Sequence, residues 1–227
     1  MFNWSEFMKR FVFLFLLSIH LTVFSQESFD EGVAVGSMTM SSNNAEVQGQ
    51  LAMMGDMTTT TYFKGNKTRS ESNNLMAGET ITIIDAKAKK MLLLMNNMGG
   101  KMYSKKDIAP TQEDLDKMTV EKGTETKTVL GYECQQYFVT IEEGGMKMTS
   151  EYFVTDKIQA VSEQFSGYGS KLEGFPLYMV MKMNQPEAEI TLTYEIKELR
   201  KEEVSDDKFD MTIPEGYTEL QVPNPQN

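Results

Sequence analysis

Methionine is the residue type with the most chemistry to offer in this chain. In the stretch PLYMVMKMNQ (176–185), Met179, Met181 and Met183 follow Leu177 on alternate positions, so in an extended strand all four side chains share a face. Met38 with Met40, and Met146 with Met148, repeat that spacing, and the whole chain holds 19 methionines. Three chemistries fit. Thioether sulfur is soft and suits copper(I), and same-face strand residues about 6.8 Å apart are close enough for long side chains to converge. Unbranched, polarizable side chains also repack around acyl chains of variable shape, as a pocket wall for hydrophobic ligands requires. Or they fill gaps in a solid core. The methionines are spread over many segments, with further groups at Met53, Met54 and Met57 and at Met91, Met95, Met98 and Met102. That scatter makes copper(I) the minor alternative and leaves core filling and a pocket wall as compatible readings.

The other reactive residue types point away from catalysis. The only histidine, His20, lies in an N-terminal apolar run, so the rest of the chain has no imidazole for a catalytic triad or a His-ligated zinc site. Cys134 is the only cysteine and sits in an alternating strand pattern with no neighbouring base, which suits a buried, inert thiol. Carboxylate pairs such as Glu142-Glu143 and Asp206-Asp207 are expected in a chain with 33 acidic and 22 basic residues. GYGSK around Ser170 lacks the spacing of a nucleophile elbow, and the sequon Asn66-Lys67-Thr68 is too short to carry weight. The expectation is a protein that is not an enzyme, with no cofactor and no metal site.

Export is written at the N-terminus. Lys9 and Arg10 precede an apolar run from Phe11 to Phe24, and Val23-Phe24-Ser25 offers a cleavage site, so residues 1–25 read as a signal peptide. No cysteine follows the run to carry a lipid anchor, and no later segment is apolar enough to span a membrane. The expected location is the periplasm or the medium. A net charge of −11 would repel nucleic acid and anionic membrane surfaces. About 200 residues make one substantial core, so 26–220 is read as a single domain and 221–227 as a flexible tail.

Positioning these residues falls mostly to strands. EAEITLTYEI (187–196) alternates strictly, with Ala188, Ile190, Leu192, Tyr194 and Ile196 on one face. Comparable runs occur at GVAVGSMTM, TTTTYFKG, KTRSES, ETITIID, KMLLLMN, GKMYSK, YECQQYFVTIE and MKMTSEYFVT, separated by turn residues. Helical signals are fewer. Thr155 could cap a helix carrying Ile158, Val161 and Phe165, ended by Gly167; Thr111 with Asp114 suggests a short helix with Leu115 and Met118 inward. Residues 45–54 are ambiguous: Val47, Leu51 and Met54 fit a helix ended by Gly55, and Gly49 weakens it. The fold class is mainly β or α+β: a single curved antiparallel sheet, an incomplete barrel, closed by two or three short helices.

Three motifs sharpen this. TKTVLGYECQQYFV (126–139), LEGFPLYMVMK (172–182) and FDMTIPEGYTEL (209–220) occur in this order. They resemble the I-x-G-Y-x-C, G-x-P-L and I-P-x-G-Y elements of a family of exported bacterial proteins of unknown function, similar in layout to lipoprotein carriers of the LolA and LolB type. The resemblance implies a curved sheet with short helices as a lid. It spans about Phe29 to Leu220, and the chain departs from the LolB kind in lacking its anchoring cysteine. Read plainly, Gly131 and Gly174 relax the backbone where strands begin, and Pro214 to Tyr217 form a turn.

These readings converge on binding of a lipid or another hydrophobic molecule by one face of the sheet. The expected lining is Met179, Met181, Met183, Met146, Met148, Ile81 and Ile83, under a lid of Leu115, Met118, Ile158, Val161 and Phe165. A structural or interaction module of the envelope, with a filled core and a protein partner for its acidic face, is the alternative.

Overall fold

The computed structural model describes residues 27–74, 78–143, 146–185 and 188–220. The predicted leader and tail lie outside the described residues, and so does the side chain of Met146. Twelve strands form one open, curved sheet: β1 (Glu31–Ser42), β2 (Met57–Lys64), β3 (Lys67–Asn74), β4 (Gly78–Asp85), β5 (Lys90–Asn97), β6 (Gly100–Asp107), β7 (Met118–Val129), β8 (Tyr132–Glu143), β9 (Met146–Thr155), β10 (Phe175–Asn184), β11 (Glu189–Arg200) and β12 (Thr218–Glu219). Their order is β12-β6-β5-β4-β3-β2-β1-β11-β10-β9-β8-β7. Two wings of sequential hairpins therefore meet at one long-range seam, β1 against β11. The expected sheet was purely antiparallel, but β12 runs parallel to β6, so the sheet is mixed.

Local sequence explains most of this. Gly65 at φ +54 begins a two-residue turn between Lys64 and Lys67. Leu130 and Gly131 both take positive φ, the mirror-image turn whose twist matches the flanking strands. Helix α1 (Ala45–Met54) resolves the ambiguous segment: Asn44 accepts from the amides of Glu46 and Val47, and Gly55 at φ +68 ends it. Helix α2 (Gln112–Asp116) has the expected capping box of Thr111 and Asp114. Leu115 is half-buried there, but Met118 has left the helix and opens β7.

The expected helix after Thr155 does not form. Only single turns of tight helix occur, at Glu163–Phe165 and Gly169–Lys171. The backbone of the segment is engaged elsewhere. The amide of Phe29 donates to Lys157, that of Gln159 to Phe29, and that of Val161 to Gly65. Bonds to Phe29 and to the β2–β3 turn replace the helical ladder, so the 3–4 spacing of Ile158, Val161 and Phe165 serves packing instead.

Alternation gives the sheet two faces, each with its own cover. On the first, Ala34, Phe63, Tyr152, Met179, Tyr194 and Ile196 form the main core with Ile158, Phe165 and Leu172 of the 156–174 segment. On the second, residues 204–217 cross the wing of β1 to β6 as a strap. Val204 and Phe209 pack on Val33 and Tyr62, while Met211, Ile213 and Tyr217 pack on Ile83, Leu92 and Leu94. Polar contacts hold the strap down. Lys64 lies 3.2 Å from Glu31 and donates to the Val204 carbonyl, whose own amide donates to Glu31 at 2.8 Å. These bonds hold the Glu31 carboxyl below its ordinary pKa, the Val204 amide first and the Lys64 ammonium second.

Candidate functional site: a methionine-lined sheet face

Cross-strand register assembles the methionines of the first face into rows. In one row Met38 pairs with Tyr194, Tyr194 with Met179, Met179 with Tyr152, and Tyr152 with Tyr137. The next row contains Met40, Leu192, Met181, Ser150 and Val139. The last pairs Ser42 with Ile190, and Ile190 with Met183. Met148, paired with Ile141, has the same parity as Ser150 and so joins this face on β9. Met179, Met181, Met183 and Met148 thus share one face, as their spacing predicts.

Cover falls away along these rows. Met179 is 6% exposed and belongs to the main core. Met181, Met183 and Met148 are only half-buried, as are Met40, Leu192, Ile190 and Ile141 beside them. The gradient follows the 156–174 segment. Phe165 and Tyr168 pack edge-on against Tyr152, and the Tyr152 and Tyr168 hydroxyls are 2.9 Å apart. Burial, and then the neighbouring Tyr168, push the Tyr152 pKa upward. Tyr194 is pushed up to about 12 by burial and by Glu163, with Thr61 and Gln164 in hydrogen-bond reach of its hydroxyl. At the β7 side, Lys171 donates to the carbonyls of Leu115 and Met118, joining the 169–171 turn to α2. Of the predicted lid residues, Ile158, Phe165 and Met118 are buried in the core of the Met179 face, while Leu115 and Val161 are half-buried and, among the described residues, no contact places them on it.

Ile81 and Ile83 are not part of this surface. By register they stand on the strap face, where Ile83 is buried beneath Met211, Ile213 and Tyr217. Their place on the Met179 side of β4 is taken by Thr80, Thr82 and Ile84. Sequence reasoning missed the other wing's contribution to that side: Met91, Leu93, Met95 and Met102 share its parity and are half-buried. The signal was present in the spacing of Met91, Leu93 and Met95.

Among the described residues, three clefts lie toward the opposite end of the sheet and none of them is lined by a methionine. One, about 540 Å³, runs between the β2–β3 turn at Gly65-Asn66 and the 156–161 segment. A second of about 300 Å³ continues past Phe165 and Leu172, and a third of about 240 Å³ is walled by Lys122, Glu133 and Gln135. Among the described residues no group of three His, Cys, Asp or Glu is placed to hold a metal ion. Cys134 is fully buried, and burial pushes its pKa up to about 11, so at neutral pH it is a thiol and not a nucleophile. The carboxyls of Glu31, Asp114, Asp207 and Asp210 shift down, away from the range of a general acid.

Among the described residues no helix is long and apolar enough to cross a membrane. A family described as a domain of unknown function (DUF4412) matches residues 35–217. No curated protein matches the chain.

Proposed function

As a member of the DUF4412 family, the chain has a sheet but no activity to inherit, and from the geometry of that sheet we propose an exported, non-enzymatic protein that binds lipid or another hydrophobic molecule on its Met179 face. One observation carries the reading: the apolar rows continue beyond the protein's own cover, from buried Met179 to half-buried Met181, Met183 and Met148. A sheet face that served only as core would end its apolar residues where the covering segment ends. Here Leu192, Ile190 and Ile141 extend them on the neighbouring strands. Methionine suits a variable acyl chain because its three rotatable bonds repack at low cost. Contact contributes about 25 cal/mol per Å² of ligand surface removed from water. The parity of Met91, Met95 and Met102 supports a second wall on the other wing.

The likeness in layout to lipoprotein carriers of the LolA and LolB type belongs to the same proposal, as does export through the leader 1–25. The 156–174 segment and α2, joined through Lys171, are its lid. The test is native mass spectrometry of protein purified from the cell envelope, with uptake of a fluorescent fatty acid measured in parallel. Stoichiometric lipid adducts are expected, and Met181→Asp/Met183→Asp should lose uptake while Met181→Leu/Met183→Leu keeps it. A clean apo mass together with no uptake overturns the proposal.

A further inference from the structure

We propose that the rim where β1, β3 and β5 end and β2, β4 and β6 begin docks on a zwitterionic phospholipid bilayer, with Met53, Met54 and Met98 as the inserting side chains. Four large apolar side chains stand exposed among the described residues: Met53 at 76%, Met54 at 39%, Met98 at 101% and Leu130 at 43%. Leu130 lies in the β7–β8 turn at the opposite end. The other three share this one rim. Met53 and Met54 close helix α1, and Met98 tips the β5–β6 turn.

Contacts among the described residues tie α1, β3, β4 and β5 together at this rim. The Asn74 side-chain amide donates to the Met54 carbonyl at 3.2 Å, which pins the end of α1 to the end of β3. Asn74 pairs with Gly78, and a Cβ on Gly78 would stand 2.3 Å from the Asn96 carbonyl oxygen. Asn97 then leads into Met98. From β3 to β5 the span is two strand spacings, about 10 Å, so the three methionines reach one surface. Below the rim the half-buried Met57, Met95 and Met102 continue the apolar character into the sheet.

The polar residues of the rim select the partner. Asn44, Gln50, Asn73, Asn74, Asn96 and Asn97 are uncharged amides, which donate to phosphate and ester oxygens without carrying charge of their own. Glu46, Asp56, Glu79 and Lys101 are the charged groups beside them, three carboxylates to one ammonium, so the rim itself is acidic. The chain as a whole carries −11, so an anionic surface repels it and a zwitterionic one does not. Methionine side chains at the tips supply the apolar part of an interfacial anchor.

This inference adds a partner to the ligand-binding reading and is tested apart from it. The full chain without its leader is floated through a density gradient with phosphatidylcholine vesicles, and fatty-acid uptake is measured on the same samples without vesicles. The wild type should float, with little change between about 0.05 and 0.5 M salt, a range over which Debye screening tightens severalfold. Met98→Asp and Met53→Asp/Met54→Asp should each lower the bound fraction at least tenfold with uptake unchanged. Leu130→Asp at the far end should float like the wild type. The inference is overturned if the wild type stays at the bottom, if flotation needs anionic lipid and fades with salt, or if the rim variants float as well as the wild type. It is equally overturned if the rim instead joins two copies, seen as a dimer that Met98→Asp separates and vesicles do not bind.

Discussion

Gly36 on β1 gives the sharpest test of how the 156–174 segment is held to the sheet. A Cβ built on Gly36 would lie 2.4 Å from the Tyr194 hydroxyl oxygen and 2.5–2.6 Å from its ring carbons. The hydroxyl end of the Tyr194 ring therefore stands over the glycine, with Thr61 and Gln164 in hydrogen-bond reach of that hydroxyl. The backbone of Gly36 does not need glycine, since its φ is not positive. Any cost of Gly36→Ala is thus steric. Tyr194 is 4% exposed and cannot swing away into water, so the methyl must displace a packed ring. Overpacking of this kind costs about 1–3 kcal/mol. At about 2 kcal/mol the midpoint of a chain this size falls by roughly 4–8 °C. The assay is urea unfolding followed by circular dichroism, run as a cycle with Tyr194→Leu. Removing the ring should remove most of the cost, leaving Gly36→Ala within about 0.5 kcal/mol of its background. If the alanine costs as much without the tyrosine as with it, the contact is not what requires glycine.

Two further predictions concern the ends of the sheet. Gly174 has φ +104, and a Cβ there would meet Val154 at 2.7 Å and the Thr155 carbonyl at 2.8 Å, so Gly174→Ala combines backbone strain with a clash and should cost at least about 3 kcal/mol in the same unfolding assay. Cys134 should resist iodoacetamide in the native state at pH 8 and react once urea unfolds the chain. Its folded pKa of about 11 lies above the ordinary value of 9.0, so the unfolded thiol ionises first. The stability it contributes is whole below pH 9 and is lost as pH rises through 11; Cys134→Ala should flatten that part of the profile, and an unchanged slope would refute the linkage.

Legibility followed one-sidedness. β11 was readable because one face is apolar and the other is Glu and Thr, and the Met179 rows were readable for the same reason. β7 was missed because MTVEKGTETKTV is an edge strand whose buried residues are its two ends, Met118 and Val129, with charges on both faces between them. An edge strand needs no apolar alternation, and charge there guards it against pairing with other chains. Ile81 and Ile83 were given the wrong face because β4 is apolar on both, with Ile84 buried opposite them. Only the strap, more than a hundred residues away, decides which side of β4 meets which partner. The helix expected from Ile158, Val161 and Phe165 failed on the same kind of distant contact, the bonds to Phe29 and Gly65. The rim of exposed methionines had no periodic signal at all, since turns and a helix end bring it together.

The strap also sets the order in which the molecule can be completed. The wing from β1 to β6 is made of sequential neighbours, joined by the helix α1 between β1 and β2 and by short connections after that, so it can pair as soon as it is available. Its outer side, with Ile83, Leu92 and Leu94, is packed by Met211, Ile213 and Tyr217, made more than a hundred residues after β5. The central seam of β1 with β11 waits equally long. A chain delivered from its N-terminus therefore carries a formed wing with an oily back and an open edge until β11 and the strap arrive. Its most hazardous interval lies between the making of β6 and of the strap, when one sticky half-molecule waits for its other half.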